Sequence, residues 1–147
     1  MWPDPLGDAL RAARRYPRQV SGASPEEVAR SLFEAYAVGD LAAARTCLAD
    51  DMVGWITNRE GGVDRTDGAD AYLARLPDLP GAELDARITQ VLGLDEERAL
   101  TMVAIRATRR LRDLQNHAAF VARVVDGRVA ELWMVEAQPA YSDEFWS

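Results

Sequence analysis

The chain has 147 residues, 48% of them hydrophobic and 28% charged, with a formal net charge of −7. That balance describes one folded domain and excludes a disordered chain. The acidic surplus argues against binding to nucleic acid or to anionic membranes, and no apolar run is long enough to span a bilayer.

All 17 basic residues are arginine, so a Schiff-base lysine and a phosphate-loop lysine are both excluded. Cys47 and His117 are the single cysteine and histidine. An internal disulfide is then impossible, a reducing cytoplasm fits, and a Cys/His metal site cannot be assembled within one chain. Cys47 sits among alanines, where a cysteine behaves as a small buried apolar residue.

Residues 1–22 form an N-terminal extension. Trp2, Pro3 and Pro5 precede a short helical stretch, Leu6 to Tyr16, ended by Pro17. It is expected either to lie across the main body as an extra helix or lid, or to stay partly mobile. The main domain is residues 23–147. Ser24-Pro25-Glu26-Glu27 reads as an N-cap, a first-turn proline and a capping box. Val28, Leu32, Phe33, Tyr36 and Ala37 follow as an apolar stripe. Gly39-Asp40 stops this helix and starts a second, Leu41 to Leu48.

Met52 to Thr57 reads as a strand, Asn58 to Gly68 as a flexible loop able to gate a pocket, and Ala69 to Leu76 as a third helix closed by Pro77 and Pro80. Four strand-like runs complete the domain: Glu83 to Leu92, Ala99 to Thr108, Leu114 to Val125 and Val129 to Glu136. Short turns between them imply an antiparallel meander. Asp126-Gly127 is a two-residue hairpin signal, and Arg109, Arg110 and Arg112 read as a solvated hairpin tip. A docked tail carries Tyr141, Phe145 and Trp146.

The order of these elements resembles the nuclear transport factor 2-like superfamily. Leu32 to Ala43 is similar to its opening helices, and Val53 to Thr57 with Trp55 resembles the first strand of the SnoaL-like (polyketide-cyclase-like, ketosteroid-isomerase-like) branch. Gly68-Ala69-Asp70-Ala71-Tyr72-Leu73 looks like the third-helix start. Arg123-x-x-Asp126-Gly127-Arg128-Val129-x-Glu131-x-Trp133 looks like the final hairpin, and Phe145-Trp146 like the ending. The resemblance implies an α+β fold: a cone-shaped, strongly curved, mostly antiparallel sheet wrapped around N-terminal helices, enclosing an apolar pocket. It also implies a homodimer.

The resemblance further implies proton chemistry by a group held in the pocket. In the related pattern His-x-x-Asp-x-x-Arg, this chain keeps His117 and Arg123 but has Phe120 at the acid. Ile56 and Met134 likewise stand where relatives carry titratable groups. His117 is therefore the expected acid/base, with Tyr36, Trp55, Tyr72, Phe120, Trp133 and Met134 the expected ligand contacts. Facing depends on the last hairpin: a plain Asp126-Gly127 turn pairs Phe120 with Trp133 and His117 with Glu136, whereas a bulge shifts both pairings. Arg106 and Arg123 are expected to be buried and paired with Glu131, Glu136 or an aspartate.

Three functions remain open. One is a cofactor-free isomerase, dehydratase or cyclase acting on a small apolar, polycyclic or polyketide-like molecule. The second is a non-catalytic binder of such a ligand, and the third is a dimeric interaction module using the outer sheet face.

Overall fold

The computed structural model describes residues 22–76 and 83–147; the helix expected over Leu6 to Tyr16 lies outside the described residues. The fold is α+β, with a curved, unclosed, mostly antiparallel sheet of six strands and, among the described residues, four helices.

Helix α1 (Pro25–Ala37) starts as its sequence dictates: the Glu27 amide donates to Ser24 Oγ and the Ser24 amide to Glu27 Oε2, each at 3.2 Å. This reciprocal pair satisfies two amides left free by the first turn. Asp40 caps the short α2 (Leu41–Thr46) by accepting from the Ala43 amide at 3.0 Å. The chain then enters β1 (Leu48–Thr57), which begins earlier than expected and absorbs the end of the second helical stretch.

Part of the expected loop is in fact a strand. Val63–Asp67 forms β2 at the sheet edge, antiparallel to β1 with Trp55 opposite Arg65. Its charged alternation suits an edge whose outer side meets water. Only residues 58–62 turn, and Asn58 holds that turn by accepting from the Glu60 and Gly62 amides at 3.1 and 2.9 Å.

Helix α3 (Ala69–Arg75) precedes the meander of β3 (Glu83–Gly93), β4 (Arg98–Arg109), β5 (Arg112–Val125) and β6 (Arg128–Glu136). The expected tail is a helix, α4 (Pro139–Trp146). Sheet order is β2-β1-β6-β5-β4-β3, with only β1 and β6 parallel.

Bulges bend the meander. Thr89 interrupts the β3–β4 register, and Ala130 is the extra residue between the pairs Val124–Val129 and Arg123–Glu131. A bulge increases local twist and turns the strand. Helix α1 packs against β3, β4, β5 and β6, burying Val28, Ala29, Leu32 and Phe33 within the curve. The core continues through Leu48, Met52, Ala99, Phe120 and Leu132.

Arg123 is half-buried and paired with Glu131 at 3.1 Å, whereas Arg106 is exposed on its strand and not buried as expected. The arginine-rich tip is more than a solvated turn: the Arg109 guanidinium donates to the Trp146 carbonyl at 2.8 Å, at the end of α4 where cations complement the helix dipole.

Candidate functional site

An apolar cavity of about 310 Å³ lies between the concave sheet face and the helices. Its walls come from every layer: Phe33 and Tyr36 from α1, Tyr72 and Arg75 from α3, Ile56 from β1, Ile88 from β3, Val103 and Ile105 from β4, Phe120 from β5 and Met134 and Glu136 from β6. Helix α4 adds Ser142, Asp143 and Trp146. Phe33 and Phe120 pack with ring centroids 4.4 Å apart, joining α1 to the sheet.

Four of the expected residues meet here: Tyr36, Tyr72, Phe120 and Met134. The other three lie on the opposite face. The Ala130 bulge pairs Phe120 with Met134 and Ala118 with Glu136, so the register expected from a plain turn does not form. Because strand side chains alternate, this one-residue shift turns Met134 and Glu136 inward and Trp133 and Val135 outward. Trp133 stacks on Trp55, its neighbour on β1, with centroids 4.3 Å apart and planes 12° from parallel. The Arg65 guanidinium stands 6.0 Å from the Trp55 ring.

His117 requires the same correction. It is exposed and alternates with the inward Asn116 and Ala118, so its imidazole is directed away from the cavity. Its backbone is what the fold uses. The His117 amide donates to Asn116 Oδ1 at 2.9 Å and its carbonyl accepts from the Ala137 amide at 2.8 Å. Buried Asn116 also accepts from the Gln138 amide at 3.1 Å, fixing the corner between β6 and α4.

The titratable group inside is Glu136. Loss of solvent around it raises its carboxyl to about 7, and nearby Asp143 pushes in the same direction. A hydrogen bond from Ser142 Oγ at 2.9 Å and the more distant Arg75 charge work the other way. Its backbone is held too, with the Glu136 amide donating to Thr57 Oγ1 at 3.1 Å. Arg75 itself is committed to Asp64 at 2.6 Å, and Asp143 accepts from the Arg59 amide at 3.0 Å. The 58–62 turn is thereby tied to α4 beside the carboxylate.

Two tyrosine hydroxyls supply the remaining polarity. The hydroxyl oxygens of Tyr36 and Tyr72 are both buried without a hydrogen-bond partner. Burial holds each phenol in its neutral form, and the two are close enough to influence each other's ionisation. Tyr72 can sit this deep because Gly54 faces it from β1: a Cβ there would lie 2.6 Å from Tyr72 Cδ2. Unpaired buried hydroxyls cost free energy, and neither oxygen has surface open to the cavity as the side chains stand. Cys47, half-buried near Tyr36, has its thiol pushed up by burial, which works against its ionisation to a thiolate.

Among the described residues, no three His, Cys, Asp or Glu side chains cluster as a metal site would require. Nor is any described helix long and apolar enough to cross a membrane.

Glu136 escaped the sequence reading as a site residue because it falls at the end of a strand, and only the bulge decides its face. A signal was its two-residue distance from Met134, also expected at the ligand, which places the two on one face of a regular strand.

Comparison with solved structures places the architecture. Bal32a from a soil-derived mobile gene cassette is 22% identical, with a TM-score of 0.70 over 82% of this chain and 95% of that one. A protein described as a polyketide cyclase of Pseudomonas putida (16% identical, TM-score 0.66, 86% and 100% covered) shares the fold. So does an LEH-like epoxide hydrolase of Mycobacterium tuberculosis (20% identical, TM-score 0.64, 83% and 90% covered). In sequence, an uncharacterized protein of M. tuberculosis is 27% identical over 124 residues, spanning 82% of this chain and 95% of the relative. The SnoaL-like domain model matches residues 29–132, and the chain therefore belongs to the SnoaL-like domain family of the nuclear transport factor 2-like superfamily.

Proposed function

We propose that this protein is a cofactor-independent acid–base enzyme that moves a proton on a small apolar carbonyl compound, with Glu136 as the catalytic group. The observation carrying this reading is a carboxyl raised to about 7 in the wall of an apolar cavity that also holds two unpartnered tyrosine hydroxyls. A base poised near the working pH is partly ionised and still strong enough to take a carbon-bound proton.

The step balances within the site. Ionised Glu136 removes a proton from the carbon next to the carbonyl, and the C–H electron pair moves towards oxygen to give an enolate. Tyr36 and Tyr72, turned from their present positions to present their hydroxyls, donate hydrogen bonds to that oxygen and stabilise its developing charge. Where a C=C bond conjugates with the enolate, return of the proton from Glu136 to its far carbon gives the isomer. Where a β-hydroxyl is present, Glu136 gives the proton to that oxygen as the C–O bond breaks, and water leaves. Ser142 orients the carboxyl.

The test is exchange of α-protons of a small ketone into deuterated water, followed by NMR. Wild type should accelerate exchange, and Glu136→Gln should lose a factor of about 10² or more, the usual worth of a general base. Exchange unaffected by Glu136→Gln would overturn the reading.

The outer face supports a homodimer as well. Trp133 and Val135 are 42% and 53% exposed there beside the half-buried Trp55, an apolar surface on the side away from the cavity. Sedimentation of a Trp133→Glu variant should show monomer where wild type shows dimer; a wild-type monomer would refute the assembly.

A further inference from the structure

Asp143 is a second carboxylate at the cavity, and the proton transfer assigned to Glu136 gives it no part. Its side chain is half-buried at the lining, one position along α4 from the serine that binds Glu136. Successive residues of a helix differ by about 100° in direction. Ser142 therefore meets Glu136, while Asp143 reaches the 58–62 turn, where its Oδ2 accepts from the Arg59 amide at 3.0 Å.

The kind of donor matters. A backbone amide satisfies a carboxylate oxygen but brings no net charge, so Asp143 is held in place while its charge is kept. Among the described residues no arginine pairs with it, whereas its helix neighbour Glu144 pairs with Arg112 at 3.4 Å. The cation at this end of the cavity, Arg75, is taken up by Asp64 at 2.6 Å, and Asp64 also accepts from Asn58 Nδ2 at 2.9 Å. From the adjoining strands Glu136 meets Ala118 and Thr57, which do not titrate. Asp143 is thus the uncompensated charge facing Glu136, and like charges disfavour each other's ionised forms.

We propose that Asp143 is a positioning residue that acts through Glu136, its carboxylate pinned by the Arg59 amide so that a fixed negative charge stands against the base. The inference rests on Glu136 being that base. Burial is the larger cause of the raised Glu136 carboxyl, and the Asp143 charge adds to it. A carboxylate that holds its proton more strongly also takes one from carbon more readily, so the pinned charge strengthens the base. An arginine in place of the Arg59 N–H would hold Asp143 as firmly and cancel this effect.

The test reads the full chain in two ways: the Glu136 carboxyl by NMR across pH, and α-proton exchange of cyclohexanone at pH 6 and pH 8. The ratio of the two exchange rates is not altered by a general loss of active protein. Asp143→Asn keeps an oxygen for the Arg59 amide and removes the charge. It should move the Glu136 midpoint below about 7 and raise the pH 6 to pH 8 rate ratio about twofold or more. Glu144→Gln, which removes a charge from the same helix on the Arg112 side, should leave the midpoint and the ratio as in wild type. An unmoved midpoint in Asp143→Asn, or an equal shift in Glu144→Gln, would overturn the proposal. A lowered midpoint in Asp143→Asn, with exchange indifferent to Glu136→Gln, would support the charge relationship and sink the catalytic role of Glu136.

Discussion

Ser142 Oγ donates a 2.9 Å hydrogen bond to Glu136 Oε1, linking the C-terminal helix to the only strongly raised carboxyl among the described residues. The bond stabilises the ionised form and so works against the burial that raises the group. Ser142→Ala should therefore move the Glu136 titration above about 7, with an accompanying stability loss of ~1 kcal/mol for the lost bond. Observing the carboxyl resonance by NMR across pH checks the direction; a downward shift would contradict it.

Stability should depend on pH through the same group. Between the ordinary value of 4.5 and about 7, the native state retains a proton on Glu136 that the unfolded chain has released. Folding stability contributed by this group is therefore full at low pH, falls as pH rises through that window and is flat above it. The loss is on the order of 1 kcal/mol once the solvent-facing part of the carboxyl is discounted. Glu136→Gln should remove this slope and make the protein more stable than wild type at pH 8, measured by urea denaturation at a series of pH values.

The close approach of Gly54 to Tyr72 gives a third expectation. Gly54→Ala would place a methyl 2.6 Å from Tyr72 Cδ2 and 2.7 Å from Thr66 Oγ1. Overpacking of this kind costs about 1–3 kcal/mol. Pairing it with Tyr72→Leu should recover part of that loss in thermal unfolding, because the clash is with the ring; no recovery would show that the strain lies in the strand itself.

A fourth concerns the β4–β5 turn, where Arg110 and Leu111 adopt φ of 50° and 61°. Both central residues of this hairpin need positive φ, a conformation that asparagine and glycine adopt readily and a branched aliphatic residue does not. Leu111 is also wholly exposed, so nothing is lost by removing its side chain. Arg110→Asn with Leu111→Gly should raise stability by about 1 kcal/mol.

Much of the architecture was legible because its signals are local. The Ser24–Glu27 box, the Gly39-Asp40 stop and the Asp126-Gly127 turn each act through neighbouring residues, and the turn indeed places both residues at positive φ. Strand β2 was not legible, because Val63–Asp67 buries no continuous face and takes its conformation from pairing with β1. The site was half legible. Tyr36, Tyr72, Phe120 and Met134 reach the cavity through helix stripes and strand alternation. Trp133 was misplaced because one bulge at Ala130 decides which side of β6 faces inward, and a bulge answers to sheet curvature more than to local residue type. His117, three residues from the inward Phe120, and Trp55, next to the inward Ile56, face outward by strand alternation alone. Replacing the exposed His117 by Ala should leave ketone exchange within about twofold of wild type, as expected of a surface substitution away from the site.

The most direct test of the account is the ionisation of Glu136 itself. Carbon-detected NMR of the glutamate carboxyls, with the resonance identified by its absence in Glu136→Gln, reads that one group in the folded protein. A midpoint near 7 is expected. A midpoint at the ordinary value of 4.5 would mean that water reaches the carboxyl freely, and neither the dry cavity nor the proton transfer built on it would stand.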